Sequence, residues 1–157
     1  VYYMTIRAED ERGYVSRSAD GLHWEPRPPW RWDDGEQLAM STTQQRWLVH
    51  SDGLFLVYTR KTEENADVFR WRGPIFVAEV DRKTLRLMRA TERVVFPLRW
   101  DDDRDPQLVP RMGNFHTVAV TSEESWITVG EESPENGWRG DTLLARIRWS
   151  RPNRLVT

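Results

Sequence analysis

Ser18-Ala19-Asp20-Gly21-Leu22-His23-Trp24 is the stretch from which the rest of the chain is read. A Ser hydroxyl and an Asp carboxylate two residues apart accept hydrogen bonds from nearby backbone N–H groups and lock a tight turn. Gly21 takes the positive φ that a β-carbon penalises, and Trp24 offers an apolar floor under the turn. Strand-like residues flank the stretch on both sides, so it reads as the tip of a β-hairpin.

Outward from this turn, short runs rich in Val, Ile, Thr, Tyr, Phe and Trp are broken by Gly, Pro, Asn and Asp. They predict strands at 1–7, 13–18, 22–26, 45–50, 54–60, 75–80, 85–90, 115–121, 124–130 and 142–149. No segment sustains a helical period. Residues 81–92 include good helix formers, but Leu85-Arg86-Leu87-Met88 alternates as a strand following a turn does. The expected fold class is all-β.

The pattern S-x-D-G-x-x-W matches the Asp-box in its shorter form, with no residue between Asp and Gly. On this motif the chain resembles the sialidase-like (BNR or Asp-box repeat) β-propellers, in particular the bacterial ones. Thr43-Gln44-Gln45-Arg46-Trp47, the run from Asp52 through Lys61, Phe69-Arg70-Trp71-Arg72-Gly73-Pro74 and Arg111-Met112-Gly113-Asn114-Phe115 are similar to segments of that group. The likeness covers most of residues 1–149. It implies four-stranded antiparallel blades with the Asp-box between the third and fourth strand. In that register the chain forms a single domain over 1–157, an incomplete β-propeller with blades at about 1–26, 45–90 and 115–157. Asp81-Arg82-Lys83-Thr84 and Ser150-Arg151-Pro152-Asn153 stand in the Asp-box places of the second and third blades, without its full residue set. A closed propeller takes roughly four to eight blades. The chain is therefore expected either to be the C-terminal portion of a larger propeller, with the remaining blades of the parent chain as partners, or to associate so that its open edges are covered.

Composition narrows the partners. Across 157 residues, 23 basic and 25 acidic side chains are interspersed for a net charge of -2, which gives no polyanion-binding surface and argues against nucleic acid. Cysteine is absent and the three histidines, His23, His50 and His116, are far apart in sequence, so neither a thiolate site nor a histidine metal site is expected, and no cofactor is implied. No apolar run approaches the roughly 18 residues of a membrane span. The resemblance favours a periplasmic or secreted location.

Loop lengths divide the molecule. The turns at 51–53, 81–84 and 122–123 are short, like the one at 18–21, and fall on one face; the segments 25–44, 61–73, 91–114 and 131–141, with the shorter 8–12, fall on the other. Long loops on a compact β-scaffold are costly to order and usually functional, so the ligand is expected on their face. Arg7 and Arg60 end second strands there. Gln44, Gln45, Asn114 and His116 open innermost strands, and Arg70 and Arg72 alternate so that both point to one side. Arginine grips a carboxylate through paired N–H donors. The resemblance implies an arginine triad on a sialic acid carboxylate, for which Arg7, Arg60, Arg70, Arg72 and Arg111 are the candidates, with Gln44, Gln45 and Asn114 as further substrate contacts. The family's N-terminal Arg-Ile-Pro region and its acidic general acid/base have no counterpart here, so no catalytic residue is assigned.

Each candidate has a plainer reading. Tyr58 is a nucleophile of the sialidase kind or a core residue of an apolar strand. His116 is a base or a structural histidine. Trp24, Trp47, Trp126 and Trp149 read as core, leaving Trp30, Trp32, Trp71, Trp100 and Trp138 as loop rings to stack on sugars. Asp33-Asp34 and Asp101-Asp102-Asp103 are carboxylate catalysts, cation ligands or solvated loop charge. The expected function is a sialidase-like glycoside hydrolase, exo-acting and retaining, on a terminal acidic sugar of a glycan. The alternatives are a non-catalytic propeller that binds glycans or proteins, and a propeller polysaccharide lyase with a His or Tyr base.

Overall fold

Leu54-Phe55-Leu56-Val57-Tyr58 is apolar at every position, and the computed structural model, which describes residues 1–40, 43–99 and 105–156, shows why. Ten strands carry the described chain: β1 (Tyr2–Arg7), β2 (Gly13–Ser18), β3 (Arg46–Val49), β4 (Leu54–Tyr58), β5 (Ile75–Asp81), β6 (Arg86–Leu87), β7 (Arg93–Phe96), β8 (Arg111–Thr121), β9 (Glu124–Glu132) and β10 (Thr142–Arg148). They form three antiparallel sheets, none of them closed: β1 with β2, β3-β4-β5 with β6 and β7 in succession along the far edge of β5, and β8-β9-β10. The described residues hold no α-helix, and no helix long and apolar enough to cross a membrane.

Successive strand residues face opposite sides of a sheet, and in the middle sheet both sides are buried. Leu54, Leu56 and Tyr58 of β4 and Phe76, Ala78 and Val80 of β5 enter one core with Val15, Trp30, Trp32 and Met40. Val57 and Ile75 enter a second core with Leu48, Phe96, Phe115, Ile127 and Val129, flanked by Phe55 and Val77. The middle sheet is therefore a wall shared by two cores.

Two expected strands take other forms. Residues 22–26 are not a strand. The segment 25–30 still runs along β2, with Glu25 N donating to Arg17 O (3.0 Å), Val15 N to Pro28 O (3.1 Å) and Trp30 N to Gly13 O (2.8 Å). Pro26, Pro28 and Pro29 have no N–H to give, which prevents a regular ladder. The strand expected at 85–90 is interrupted after β6 by a 3₁₀ turn at Arg89–Thr91 and resumes as β7 inside a segment expected to be loop. Thr91 causes the break: its Oγ accepts from Glu79 N (2.9 Å) and donates to Met88 O (2.7 Å), a side chain standing where a strand would supply backbone. β8 starts at Arg111 rather than 115, with a bulge between Met112 and Phe115. Among the described residues the sheets have two, three and five strands. Among the tryptophans, Trp30, Trp32 and Trp71 are buried rather than free to stack on a ligand, because their segments fold back onto the sheets; Trp24, Trp47, Trp126 and Trp149 are half-buried.

The turn at 18–24 has the chemistry its residues require. Gly21 N donates to Ser18 Oγ (2.9 Å), and Leu22 N and His23 N donate to Asp20 Oδ1 (2.8 and 2.9 Å). Gly21 has φ 81°, and a Cβ on it would lie 3.6 Å from the ring of Tyr2; Trp24 instead lines a cavity with Tyr3 and Thr5. The turn at 81–84 retains the carboxylate part, Asp81 Oδ1 accepting from Lys83 N (2.7 Å). Arg17 Nη1 donates to the carbonyls of Arg82 and Lys83 (3.2 Å each), so these two tips share one end of the molecule. At the same end Asn153 ties two hairpin tips: its Oδ1 accepts from Ser51 N (2.9 Å), its Nδ2 donates to Val49 O (2.9 Å) and its backbone N donates to Ser122 O (2.6 Å). The connections 8–12, 61–73 and 133–141 lie at the other end.

Backbone N–H of His23, then the His23 ring, Leu22 N–H and Ser18 hold the Asp20 carboxyl below the ordinary carboxylate value. A group depressed in the folded state contributes stability fully above its unfolded value, and loses it as pH falls through the folded one. Asp20→Ala is expected to lower the urea midpoint with an unchanged slope, and Asp20→Asn, which retains one acceptor oxygen, to lower it less and to show a smaller loss on acidification than wild type. Urea unfolding across pH checks both, and equal acid sensitivity of wild type and Asp20→Asn would contradict the role given to the carboxylate.

Candidate arginine site

The loop carrying Arg70 and Arg72 is organised around Asn65, whose side chain is fully buried. Its Oδ1 accepts from Thr62 N (2.7 Å), and its Nδ2 donates to Arg60 O and to Gly73 O (2.8 Å each). One amide thus closes the loop across its neck, replacing backbone pairing that the irregular segment lacks. Between those anchors a 3₁₀ turn at Phe69–Trp71 holds Arg70 at φ 54° and Trp71 at φ 48°. The strand end is fixed by Met112 N, which donates to Arg72 O (3.1 Å).

Arg72 is the centre of a cation cluster. Burial first, and then the charges of Arg70, Arg111 and Arg7, hold its guanidinium below the ordinary arginine value, while Glu132 acts in the opposite sense. Its Nε is buried and has no hydrogen-bond partner among the described residues. An unpaired buried N–H is costly, and nearby like charges add to that cost. Arg111 lies between two rings, its Cζ 4.9 Å from the centroid of Phe69 and 5.0 Å from that of Trp138. Both rings are more than half exposed, Phe69 at 53% and Trp138 at 56%. Trp138 reaches this position because the β9-β10 connection turns back through Gly137 at φ 62° and Trp138 itself at φ 67°, with Trp138 N donating to Ser133 O (2.9 Å).

The charges of Arg7, Arg70 and Arg111 thus act on Arg72, whereas the other candidates are engaged elsewhere. Arg60 is engaged by Glu92, Nε to Oε1 at 2.8 Å and Nη2 to Oε2 at 2.7 Å, with the ring of Phe76 4.7 Å from its Cζ. Tyr58 donates to the same carboxylate (2.6 Å). It is fully buried, and burial together with Glu92 raises its pKa well above that of a free phenol, which removes it from nucleophilic chemistry at the surface. Gln44 donates to Phe115 O and joins β3 to β8. Gln45 accepts from Thr5 Oγ and from Trp30 Nε1 (3.1 Å), so both amides serve the scaffold. Asn114 is exposed at the β8 bulge, and His116 is exposed beside Tyr3, Thr5 and Trp47 in a cavity of about 590 Å³. Asp34 pairs with Arg89 at 3.0 Å and Asp33 accepts from Arg89 N (3.3 Å), which makes them surface partners. Trp100 and Asp101-Asp102-Asp103 lie outside the described residues. The described residues contain no group of three His, Cys, Asp or Glu able to hold a metal.

Sequence reasoning did not single out Asn65, Glu92, Glu132 or Phe69. Phe69 carried a signal, an aromatic residue next to Arg70 in a long loop, but the other three depend on contacts made only in the fold. Asn65→Ala leaves two carbonyls and one N–H without their partner and is expected to cost about 1 to 3 kcal/mol in urea unfolding. It should also loosen the loop that carries Arg72, read as faster amide exchange across 62–73. Unchanged exchange there would show that the loop holds itself. No family model, no curated protein and no solved structure matches the chain.

Proposed function

We propose that this protein recognises the terminal acidic sugar of a glycan, on a scaffold of the sialidase-like propeller type, through the cluster formed by Arg7, Arg70, Arg72 and Arg111. The observation that carries this reading is the buried, unpartnered Nε of Arg72 among three further guanidinium groups. A carboxylate offers acceptor oxygens suited to a planar donor fork and a charge opposite to that of the guanidinium groups. Phe69 and Trp138 add apolar faces for the body of a sugar ring at the same place. Antiparallel sheets that pack across two cores, with a turn of Asp-box sequence, are consistent with blades of a larger propeller, and the long-loop end is where such a scaffold carries its ligand.

Recognition is favoured over hydrolysis by the state of Tyr58. A retaining glycosidase needs a nucleophile and an acid/base group flanking the bond to be cut, and this phenol is enclosed in the core with Glu92 and Arg60. Glu132 is the carboxylate whose charge acts on the cluster.

N-acetylneuraminic acid titrated into the protein should bind, and its methyl ester should bind more weakly. Arg72→Ala and Arg111→Ala should each weaken the acid by roughly 1.5 to 3 kcal/mol, the range for a charge-assisted contact. Calorimetry or amide-shift titration measures both. Equal affinity for acid and ester, or for wild type and Arg72→Ala, would remove the carboxylate reading, and turnover of a fluorogenic sialoside that disappears in Arg72→Ala would restore the hydrolase.

A further inference from the structure

Within the β4-β5 pair, residues 54–58 and 75–80, Glu79 is the one charged side chain. Alternation puts it on the same side of β5 as Ile75 and Val77, and Phe55 of β4 stands directly opposite it. Those three residues pack in or against the core between the middle sheet and the β8-β9-β10 sheet. Glu79 is instead half-buried and lines a cleft of about 380 Å³, at the end of the molecule where Asn153 ties the hairpin tips. That volume falls among small-molecule sites, which run from roughly 300 to 1,000 Å³.

The cleft brings this carboxylate to aromatic surface. The ring of Phe55 lies 5.5 Å from that of Trp149, and the ring of His50 lies 4.6 Å from Trp149, all three on the walls. Trp149 is fixed by its Nε1, which donates to Ser125 Oγ (3.0 Å). A Cβ on Gly53 would stand 2.8 Å from the Phe55 ring and 3.8 Å from Glu79 Oε1, so ring and carboxylate flank one point that glycine leaves unfilled. No described residue donates to the Glu79 side chain or forms an ion pair with it. Its neighbours are engaged. His50 Nδ1 accepts from Asp52 N (3.0 Å), and His50 Nε2 donates to Arg151 O (3.0 Å). The Asp52 carboxylate meets Arg154 at 2.7 Å and Arg151 at 3.8 Å. Both guanidinium groups thus face Asp52, and Glu79 is the carboxylate left free.

We infer that this cleft binds a quaternary ammonium ion, with its methyl groups against Phe55 and Trp149 and its charge beside the Glu79 carboxylate. Such an ion carries its charge under an apolar surface, and aromatic faces attract it as a carboxylate does. It has no N–H to satisfy, whereas a primary ammonium brings three donors to walls whose imidazole and nearest carbonyl are already bonded. Selection rests on this direct contact and not on the net charge of the walls, where Asp52 is matched by arginine. The inference goes beyond the acidic-sugar reading and does not depend on it, since that reading rests on Arg72 and Arg111 at the other end.

Choline and 3,3-dimethylbutan-1-ol share a shape and differ in charge. At matched ionic strength, choline chloride should shift the backbone amides of Gly53, Phe55 and Glu79 saturably, and neither the alcohol nor sodium chloride should do so. Ethanolamine, the primary analogue, should bind more weakly than choline. Glu79→Gln, which retains the shape but loses the charge, should weaken choline by about fivefold or more. Phe55→Leu, which keeps an apolar side chain but removes the ring, should weaken it by about threefold or more. Glu79→Gln breaks no side-chain contact of the fold, so it decides the matter even where Phe55→Leu lowers the urea midpoint. Equal shifts with the alcohol or with sodium chloride, no saturation, tighter binding of ethanolamine, or unchanged choline affinity in either variant would each overturn the inference.

Discussion

The rest of the molecule depends on burial of both faces of the β4-β5 pair. A strand buried on one side tolerates polar residues at every second position, whereas a strand shared by two cores tolerates them at none. Leu54 to Tyr58 meets that demand in five consecutive residues, and Ile75 to Val80 departs from it only at Glu79. With no free face on these strands, their side chains meet solvent only at strand ends and connections. Arg72 precedes β5 and Arg111 opens β8, so both stand at strand ends.

The two arginine settings show how environment divides one residue type between two tasks. Arg60 meets a carboxylate across two hydrogen bonds, with aromatic rings below it, and its charge is spent within the fold. Arg72 sits in a partly buried place where three further guanidinium charges act on it and one carboxylate, Glu132, opposes them. A fully matched ion pair is a structural element. A partly buried guanidinium with an unsatisfied Nε has no such match among the described residues.

Much of the strand content was legible because alternation and turn chemistry are local. The turn at 18–24 and the strands at 1–7, 13–18, 124–130 and 142–149 follow from residues within a few positions of one another, and the structure agrees to within a residue or two. Proline spoiled the strand read at 22–26, and one threonine hydroxyl split the strand read at 85–90; both are single-residue events that composition over a window does not register. Alternation placed Arg70 and Arg72 on one side, but it had no means of showing that Glu92, 32 positions beyond Arg60, takes that guanidinium for the interior. Trp30 and Trp32 looked like exposed loop rings because their segment has neither period, and the fold buries them as side chains of an irregular layer. Asn65, which shapes the arginine loop, has no signature in sequence beyond a polar turn.

Asn153 has a consequence for the order of folding. Its contacts with Val49 and Ser51 join residues more than a hundred positions apart, and its backbone bond to Ser122 couples the same segment to a second hairpin. Closing a loop of that size costs entropy that no local interaction repays. The closing contacts become favourable only when both hairpin tips are already formed and at the right distance from each other. The C-terminal segment is thus a late arrival, and it is the first to leave when either of its two supports loosens.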